Sequence, residues 1–264
     1  MTASFLGWPF YLFIFLVSLS LGSFLNSWMW RAWENIRVIN GRSICIFCRR
    51  QLNWYENIPL FSFIFLGGRC RTCKKKISWR YPLVEFFTAA ILTFVAWHRV
   101  EHNVFFSDNL LYPRDVFLIT FLIIIFVFDA LHKVILSSIV WAGALIGFLF
   151  NYFALNIPLS TMFYGALAAG GFFLLQYIVS KGRWIGGGDV RLGFMMGVWL
   201  GWPNVLVAVF LAYIIGAGHA VILLISRKGN WKSQIPFGTF LAVGTAISLY
   251  YGDDIIQWYL SFLK

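Results

Sequence analysis

Asp129 and the run Gly186-Gly187-Gly188-Asp189 carry the residue types on which hydrolytic chemistry would turn. The chain has ten acidic residues in all, so each can be weighed. Glu101, Asp108, Asp115, Asp253 and Asp254 fall between or after apolar segments, and Glu34 and Glu56 lie in a basic, cysteine-bearing stretch. Glu85, Asp129 and Asp189 remain at or within apolar segments. An ionisable group at membrane depth is costly and faces a cavity or a partner, which makes these three functional candidates. A single Asp at a segment end is equally well read as a helix cap or half of an ion pair. Two carboxylates at one depth offer more. They cannot both ionise cheaply at close range, so they would share a proton. One would take a proton from an attacking water while the other protonates the departing group, which is aspartyl protease chemistry.

The glycines before Asp189 add to this reading. Gly186 and Gly188 permit φ > 0 and the close approach of another backbone, as a peptide substrate would require. An N-capped helix after a turn would look the same. A phosphate-cradling loop is disfavoured, because no Lys-Ser/Thr follows, the dinucleotide spacing is missing, and Asp189 would repel an anion.

The four cysteines form two knuckles, Cys45-x-x-Cys48 and Cys70-x-x-Cys73. This is the ligand spacing of a tetrahedral zinc site on a zinc-ribbon-like insert, with two disulfides as the alternative. A reducing cytoplasmic location would favour the metal. A closed four-thiolate site leaves no open coordination position, so the zinc would be structural.

The elements that must position these groups are apolar. Of 264 residues 60% are hydrophobic and 12% charged, too little polar surface for a water-soluble domain of this size. Runs such as Leu118 to Phe128 and Val205 to Ile225 point to an all-α polytopic membrane protein. The first 30 residues lack a basic n-region and are read as a retained span rather than a cleaved signal. About eight transmembrane helices are expected, near residues 5–30, 82–97, 116–129, 134–153, 160–179, 189–200, 204–225 and 235–251. Three parts follow: a first span (1–30), a cytoplasmic four-cysteine insert (31–80) and a seven-span membrane catalytic domain (81–264).

The net charge of +11 is placed by topology rather than by a nucleic-acid partner. Eleven of 21 Lys and Arg fall between Arg31 and Arg80, with no basic groove of interleaved aromatics elsewhere. If that insert is cytoplasmic, Lys133, Lys181, Arg183, Arg191, Arg227, Lys228 and Lys232 join it, eighteen basic residues against Arg99, Arg114 and Lys264 outside. Both termini are then extracytoplasmic. Asp129 ends an inward span and Asp189 starts an outward one, so both fall at the cytoplasmic boundary although neither entered the count.

Gly186-x-Gly188-Asp189 resembles the GxGD signature of intramembrane aspartyl proteases, and the rest of the chain narrows the resemblance to prepilin peptidases, the type IV leader peptidases. Gly22-Ser23-Phe24-Leu25-Asn26 with Arg31 is similar to the end of that family's first span. Trp54-Tyr55-Glu56-Asn57-Ile58-Pro59 is similar to its cytoplasmic domain, and Ile77-Ser78-Trp79-Arg80-Tyr81-Pro82-Leu83-Val84-Glu85 to the entry of its second span. Asp129 with His132, and Gln234-Ile235-Pro236-Phe237-Gly238, follow in the family's order. Leu136 stands where the family usually has Pro, and a Pro usual in the first-span motif is missing, which leaves the subfamily open.

The resemblance implies cleavage of a basic leader from type IV prepilins or type II secretion pseudopilins, after a Gly at the cytoplasmic face of the inner membrane. It implies Asp129 and Asp189 as the proteolytic pair, and methylation of the new N-terminus from S-adenosylmethionine. Glu85 is a methyl-transfer candidate by analogy only; otherwise it is a partner for Arg80 or a helix-start charge. His132 could tune Asp129 or simply face the helix dipole. A secondary transporter using the two Asp residues, and a non-enzymatic assembly factor docking through the insert, are the readings from other classes.

Overall fold

The computed structural model describes residues 7–36, 41–101, 110–226 and 235–263. Phe5, Arg37, Asp108, Arg227, Lys228, Lys232, Gln234 and Lys264, all used in the sequence reading, lie outside the described residues. The chain forms two compact units, Met1–Tyr112 and Pro113–Lys264.

In the first unit α1 (Trp8–Trp33) and α3 (Arg80–Glu101) pack side by side, and the cysteine insert, with the short α2 (Phe61–Phe65), connects them. The motif residues of α1 explain this pairing. A Cβ at Gly22 would lie 2.8 Å from Glu85 Cα, so only glycine lets the two backbones approach here. Asn26 Nδ2 donates to the Tyr81 carbonyl at 3.0 Å, holding the first turn of α3. Arg31 Nη2 donates to the carbonyls of Gly41 and Arg42 at 2.9 Å, fixing where the insert leaves α1.

The second unit contains α4 (Leu111–His132), α5 (Ser137–Leu149, extended by a π-turn Phe150–Ala154), α6 (Leu159–Ser180), α7 (Gly187–Leu200), α8 (Asn204–Ile225) and α9 (Phe237–Ser261). The core is the short α7. It packs on α5, α6 and α9, and Leu192, Met195, Met196 and Trp199 are fully enclosed. Trp199 Nε1 donates to the Gly143 carbonyl at 2.9 Å, and Asn151 Nδ2 donates to the Val198 and Trp199 carbonyls at 2.8 and 3.1 Å. Asn151 of the π-turn thus satisfies free carbonyls at the end of α7, as a buried helix terminus requires, while Trp199 ties that end to α5.

Six helical segments are long and apolar enough to cross a membrane: α1, α3, α4, Ser137–Ala154, α6 and α8. The protein is a multi-pass, all-α membrane protein, with isolated β-bridges but no strand among the described residues. The two further spans of the sequence reading are helices too. However, α7 has only 14 residues, about 21 Å at 1.5 Å each, and α9 carries Asp253 and Asp254 within its 25 residues. Two boundaries differ from expectation. Arg114 and Asp115 were assigned to an outside loop, but both are buried near the start of α4, with Arg114 Nε 3.4 Å from Asp115 Oδ1. Asp253 and Asp254 were placed beyond the last span, yet α9 continues through them to Ser261. In each case a pair of charged residues looked like a loop because it interrupts the apolar run of a continuous helix.

Candidate active site and metal centre

Asp129 sits in the last turn of α4 and is buried. Lys133 takes φ 53 and donates its N–H to the Asp129 carbonyl at 2.9 Å, ending the helix just past the carboxylate. The carboxylate is held from across the bundle. Thr239, in the first turn of α9, donates its backbone N–H to Asp129 Oδ2 at 2.9 Å. A helix N-terminus has unsatisfied N–H groups, and a carboxylate is a favourable acceptor for them. A Cβ at Gly238 would lie 2.9 Å from that same oxygen and 2.8 Å from Ile135 Cδ1, so this position admits no side chain.

Asp189 is the third residue of α7 and is also buried. Its Oδ2 accepts the Gly186 N–H at 3.1 Å, closing the helix start. The capping contact expected as one reading of Asp189 is therefore present. The expected use of φ > 0 in the glycine run is not what occurs: Gly186 is extended at φ −78, and neither Gly187 nor Gly188 has positive φ. The left-handed turn comes earlier, at Lys181 and Gly182. Gly188 serves close packing instead, since a Cβ there would meet the Ile135 side chain at 3.0 Å. A Cβ at Gly186 would come no nearer than 3.5 Å to Asp189 Oδ2, leaving this side open. Arg191 Nε donates to the Gly187 carbonyl at 2.9 Å and its guanidinium reaches Ser137 Oγ, tying the start of α7 to that of α5.

Ile135 therefore lies against both Gly188 and Gly238, while Gly238 lies against Asp129. The α4–α5 turn and the starts of α7 and α9 meet there, and the Asp129 and Asp189 carboxylates are within electrostatic reach of one another. Tyr213 of α8 is also within reach of Asp189; its hydroxyl pairs with Gln176 Oε1 at 3.0 Å and its ring lies 5.0 Å from Phe237. His132 stacks near Phe128, ring centroids 5.5 Å apart. Sequence reasoning missed Thr239, Ile135 and Tyr213. Pro236 at the start of α9, three residues before it, was a usable signal for Thr239. Nothing distinguishes Tyr213 within its apolar run.

The four cysteines come together in the first unit, all Sγ atoms within 4.8 Å of one another and Cys45 Sγ 3.9 Å from Cys73 Sγ. Zinc–thiolate bonds of 2.3 Å in a tetrahedron put sulfurs about 3.8 Å apart, so the cluster could hold a metal ion. The two knuckles are built alike. Cys45 and Cys70 each donate N–H to a carbonyl five residues on and accept from the residue four on, and Arg49 and Lys74 take matching φ of 57 and 56. N–H groups of Cys73 and then Thr72 outweigh burial and hold the Cys70 thiol down to about 6, a thiolate ready for a cation. Against the pull of the Lys75 N–H, burial and the neighbouring thiols push Cys73 up to about 11, since adjacent sulfurs cannot all ionise without a metal. Arg50 grips Glu56 with both Nη atoms, at 3.0 and 2.7 Å, and Glu56 Oε2 also accepts the Asn53 N–H at 2.8 Å.

Glu85 does not pair with Arg80, whose guanidinium lies 5.0 Å over the Tyr81 ring. It points instead at the insert, where its Oε2 accepts the Leu60 N–H at 2.9 Å.

Two family models match the chain: the bacterial peptidase A24 N-terminal domain over residues 16–99 and the type IV leader peptidase family over residues 116–221. A prepilin leader peptidase/N-methyltransferase of Aeromonas salmonicida is 30% identical, covering 97% of this chain and 96% of the relative. The chain belongs to the type IV leader peptidase family. Proteins of the same description from Pseudomonas aeruginosa (34% identical; 83% of this chain, 75% of the relative) and Bacillus subtilis (33%; 94% and 96%) are also similar. No solved structure matches the chain. Membership places it among enzymes and weighs against the transporter and assembly-factor readings. The two family models divide the chain where its two compact units do.

Proposed function

We propose that this protein removes the basic leader of type IV prepilins or type II secretion pseudopilins and then methylates the new N-terminal amine, with Asp129 and Asp189 as the proteolytic pair. The observation that carries the cleavage reading is that Ile135 packs against Gly188, beside the buried Asp189, and against Gly238, which touches the buried Asp129. With one carboxylate protonated and one ionised, the ionised group takes a proton from water as its oxygen attacks the scissile carbonyl. The protonated group donates to the leaving nitrogen, and the dyad is returned with its single proton moved across. Thr239 N–H orients Asp129 and Gly186 N–H orients Asp189, so neither must reorganise during the reaction. The open side at Gly186 is where an extended substrate backbone would lie.

The basic insert supports an inner-membrane orientation with the cysteines and both Asp residues at the cytoplasmic face and both termini outside. Zinc held by Cys45, Cys48, Cys70 and Cys73 would be structural, closing the 31–80 insert as a unit while 81–264 supplies the catalytic carboxylates. Replacing Cys70 with Ser is expected to lower bound zinc from about one ion per chain to a small residual. Atomic absorption of the purified protein would read this, alongside faster tryptic cutting at the Lys74–Lys76 run. Unchanged zinc content would sink the assignment.

A methyl donor is S-adenosylmethionine by family, which supplies an electrophilic methyl group on a sulfonium. The first unit has a cavity of about 150 Å³ that suits it in chemistry: Trp30, Phe47 and Phe63 offer aromatic surface for a sulfonium. The test of the whole reading is incubation of the purified protein in detergent with a prepilin and labelled donor. The expected product is shortened, begins after the Gly, and carries label on its first amine. A prepilin left intact would overturn it.

A further inference from the structure

Glu85 is a buried carboxylate that peptide cleavage does not use. It borders the 150 Å³ cavity of the first unit together with Ser23, Ser27, Asn57 and Tyr81. Its carboxylate accepts the neutral Leu60 N–H at 2.9 Å, and Ser23 borders the same cavity. Among the described residues no basic side chain lies within ion-pair distance of it. A buried carboxylate without a cation is expensive, and mutational experience is that such groups are held for a reason. Its surroundings are also held in place at some cost. Leu60 takes φ 59 and ψ −51, a conformation leucine rarely adopts, at the point where its N–H meets the carboxylate. On the other side, the Gly22 contact presses α1 against the Glu85 backbone.

A route leads to it. A second groove, about 290 Å³, shares Ser23, Ser27, Arg31, Ser43 and Asn57 with the cavity and extends along α1 to Ser20. Ser20, Ser23 and Ser27 fall on one face at i, i+3 and i+7, a hydroxyl stripe on a helix that is otherwise largely apolar. Such a stripe suits a polar chain end attached to an apolar segment.

We propose that Glu85 receives the α-amine exposed by cleavage, pairing with its ammonium form and taking one of its protons. This deepens the methyl-transfer half of the proposed function and rests on it. The freed lone pair forms the new N–C bond as the donor's S–C bond breaks with its electrons left on sulfur. The proton held on Glu85 then leaves to water. A sulfonium would bring only charge, whereas an ammonium brings N–H donors for Glu85 and the neighbouring Ser27, Asn57 and Tyr81 oxygens. Arg31, Arg50, Arg71 and Lys75 also line the cavity, but Arg31, Arg50 and Arg71 are turned to the Gly41 and Arg42 carbonyls, Glu56 and Tyr55, so the amine is the better match for the oxygens around Glu85.

The test is binding, by full-length protein in detergent without donor, of a short apolar peptide beginning with Phe and of its Nα-acetylated form. Wild type is expected to prefer the free amine by at least about tenfold, the fold-change of one lost charged hydrogen bond. Glu85→Gln can still accept from Leu60, so it should fold, cleave prepilin and bind S-adenosylmethionine within about twofold of wild type. It should lose the amine preference, and Glu85→Asp should recover part of it. A Glu85→Gln protein that keeps the preference overturns the proposal. So does one that loses S-adenosylmethionine affinity while still discriminating amines, which would put Glu85 at the sulfonium. A wild type that binds the free amine selectively yet never methylates it supports the amine site and overturns the methyl-transfer reading instead.

Discussion

Asp129→Asn and Asp189→Asn are each expected to lower the leader-cleavage rate by about 10²–10⁴-fold or more, the range over which a positioned acid or base acts. Asn keeps the size of the side chain and its oxygen can still accept the Thr239 or Gly186 N–H, so the structural contact survives in both variants. What is lost is the ability to hold and release a proton. The double variant should be little worse than either single one, because the two groups work on one water and one proton inventory. Initial rates on a purified prepilin would measure this, with helical circular dichroism in detergent as the check on folding. A single variant that cleaves within a few-fold of wild type would show that the pair is a structural cap and not a dyad. Methylation of a pre-cleaved acceptor should be spared in both, since the carboxylates belong to the second unit and the candidate cavity to the first.

Gly197→Ala is expected to be the most disruptive small substitution in the second unit. A Cβ at Gly197 would run into the backbone of Gly165 and Ala166, where α6 and α7 touch without side chains between them. Backbone cannot rotate away, so the helices must separate, and overpacking of this sort costs about 3 kcal/mol. The separation would also shift α7, which carries Asp189 at its start and is gripped at its end by Asn151 and Gly143. Thermal unfolding in detergent should therefore fall by several degrees and cleavage should fall with it. Gly171→Ala on α6 is the matched control. Its Cβ would meet only Leu167 Cδ1 at 3.8 Å, so the helix gains propensity, up to about 1 kcal/mol, with nothing displaced. Equal stability of the two variants would contradict the close crossing of α6 and α7.

Much of the architecture could be read in the residues because the bilayer makes a simple demand. Apolar length alone marks a helix there, and the spans near residues 134–153, 160–179 and 204–225 are helices of nearly those bounds. The cysteine knuckles were equally plain, since metal ligation depends on spacing within a few residues. Asp129 and Asp189 stood out because so few acids share their depth. Where a charged pair interrupts an apolar stretch the signal fails, and Arg114 and Asp115 were put in a loop although they neutralise each other inside α4.

Only the folded chain shows what holds the carboxylates. The Thr239 N–H that meets Asp129 is 110 residues away in sequence, and the Ile135 wedge touches two glycines from two other helices. Glu85 reaches a backbone N–H 25 residues back in the insert rather than the neighbouring Arg80. The identities of the candidate groups are local properties, set by composition and hydropathy along the chain. Their partners are not, because hydrogen bonds and close backbone approaches between helices depend on which elements the bundle brings side by side.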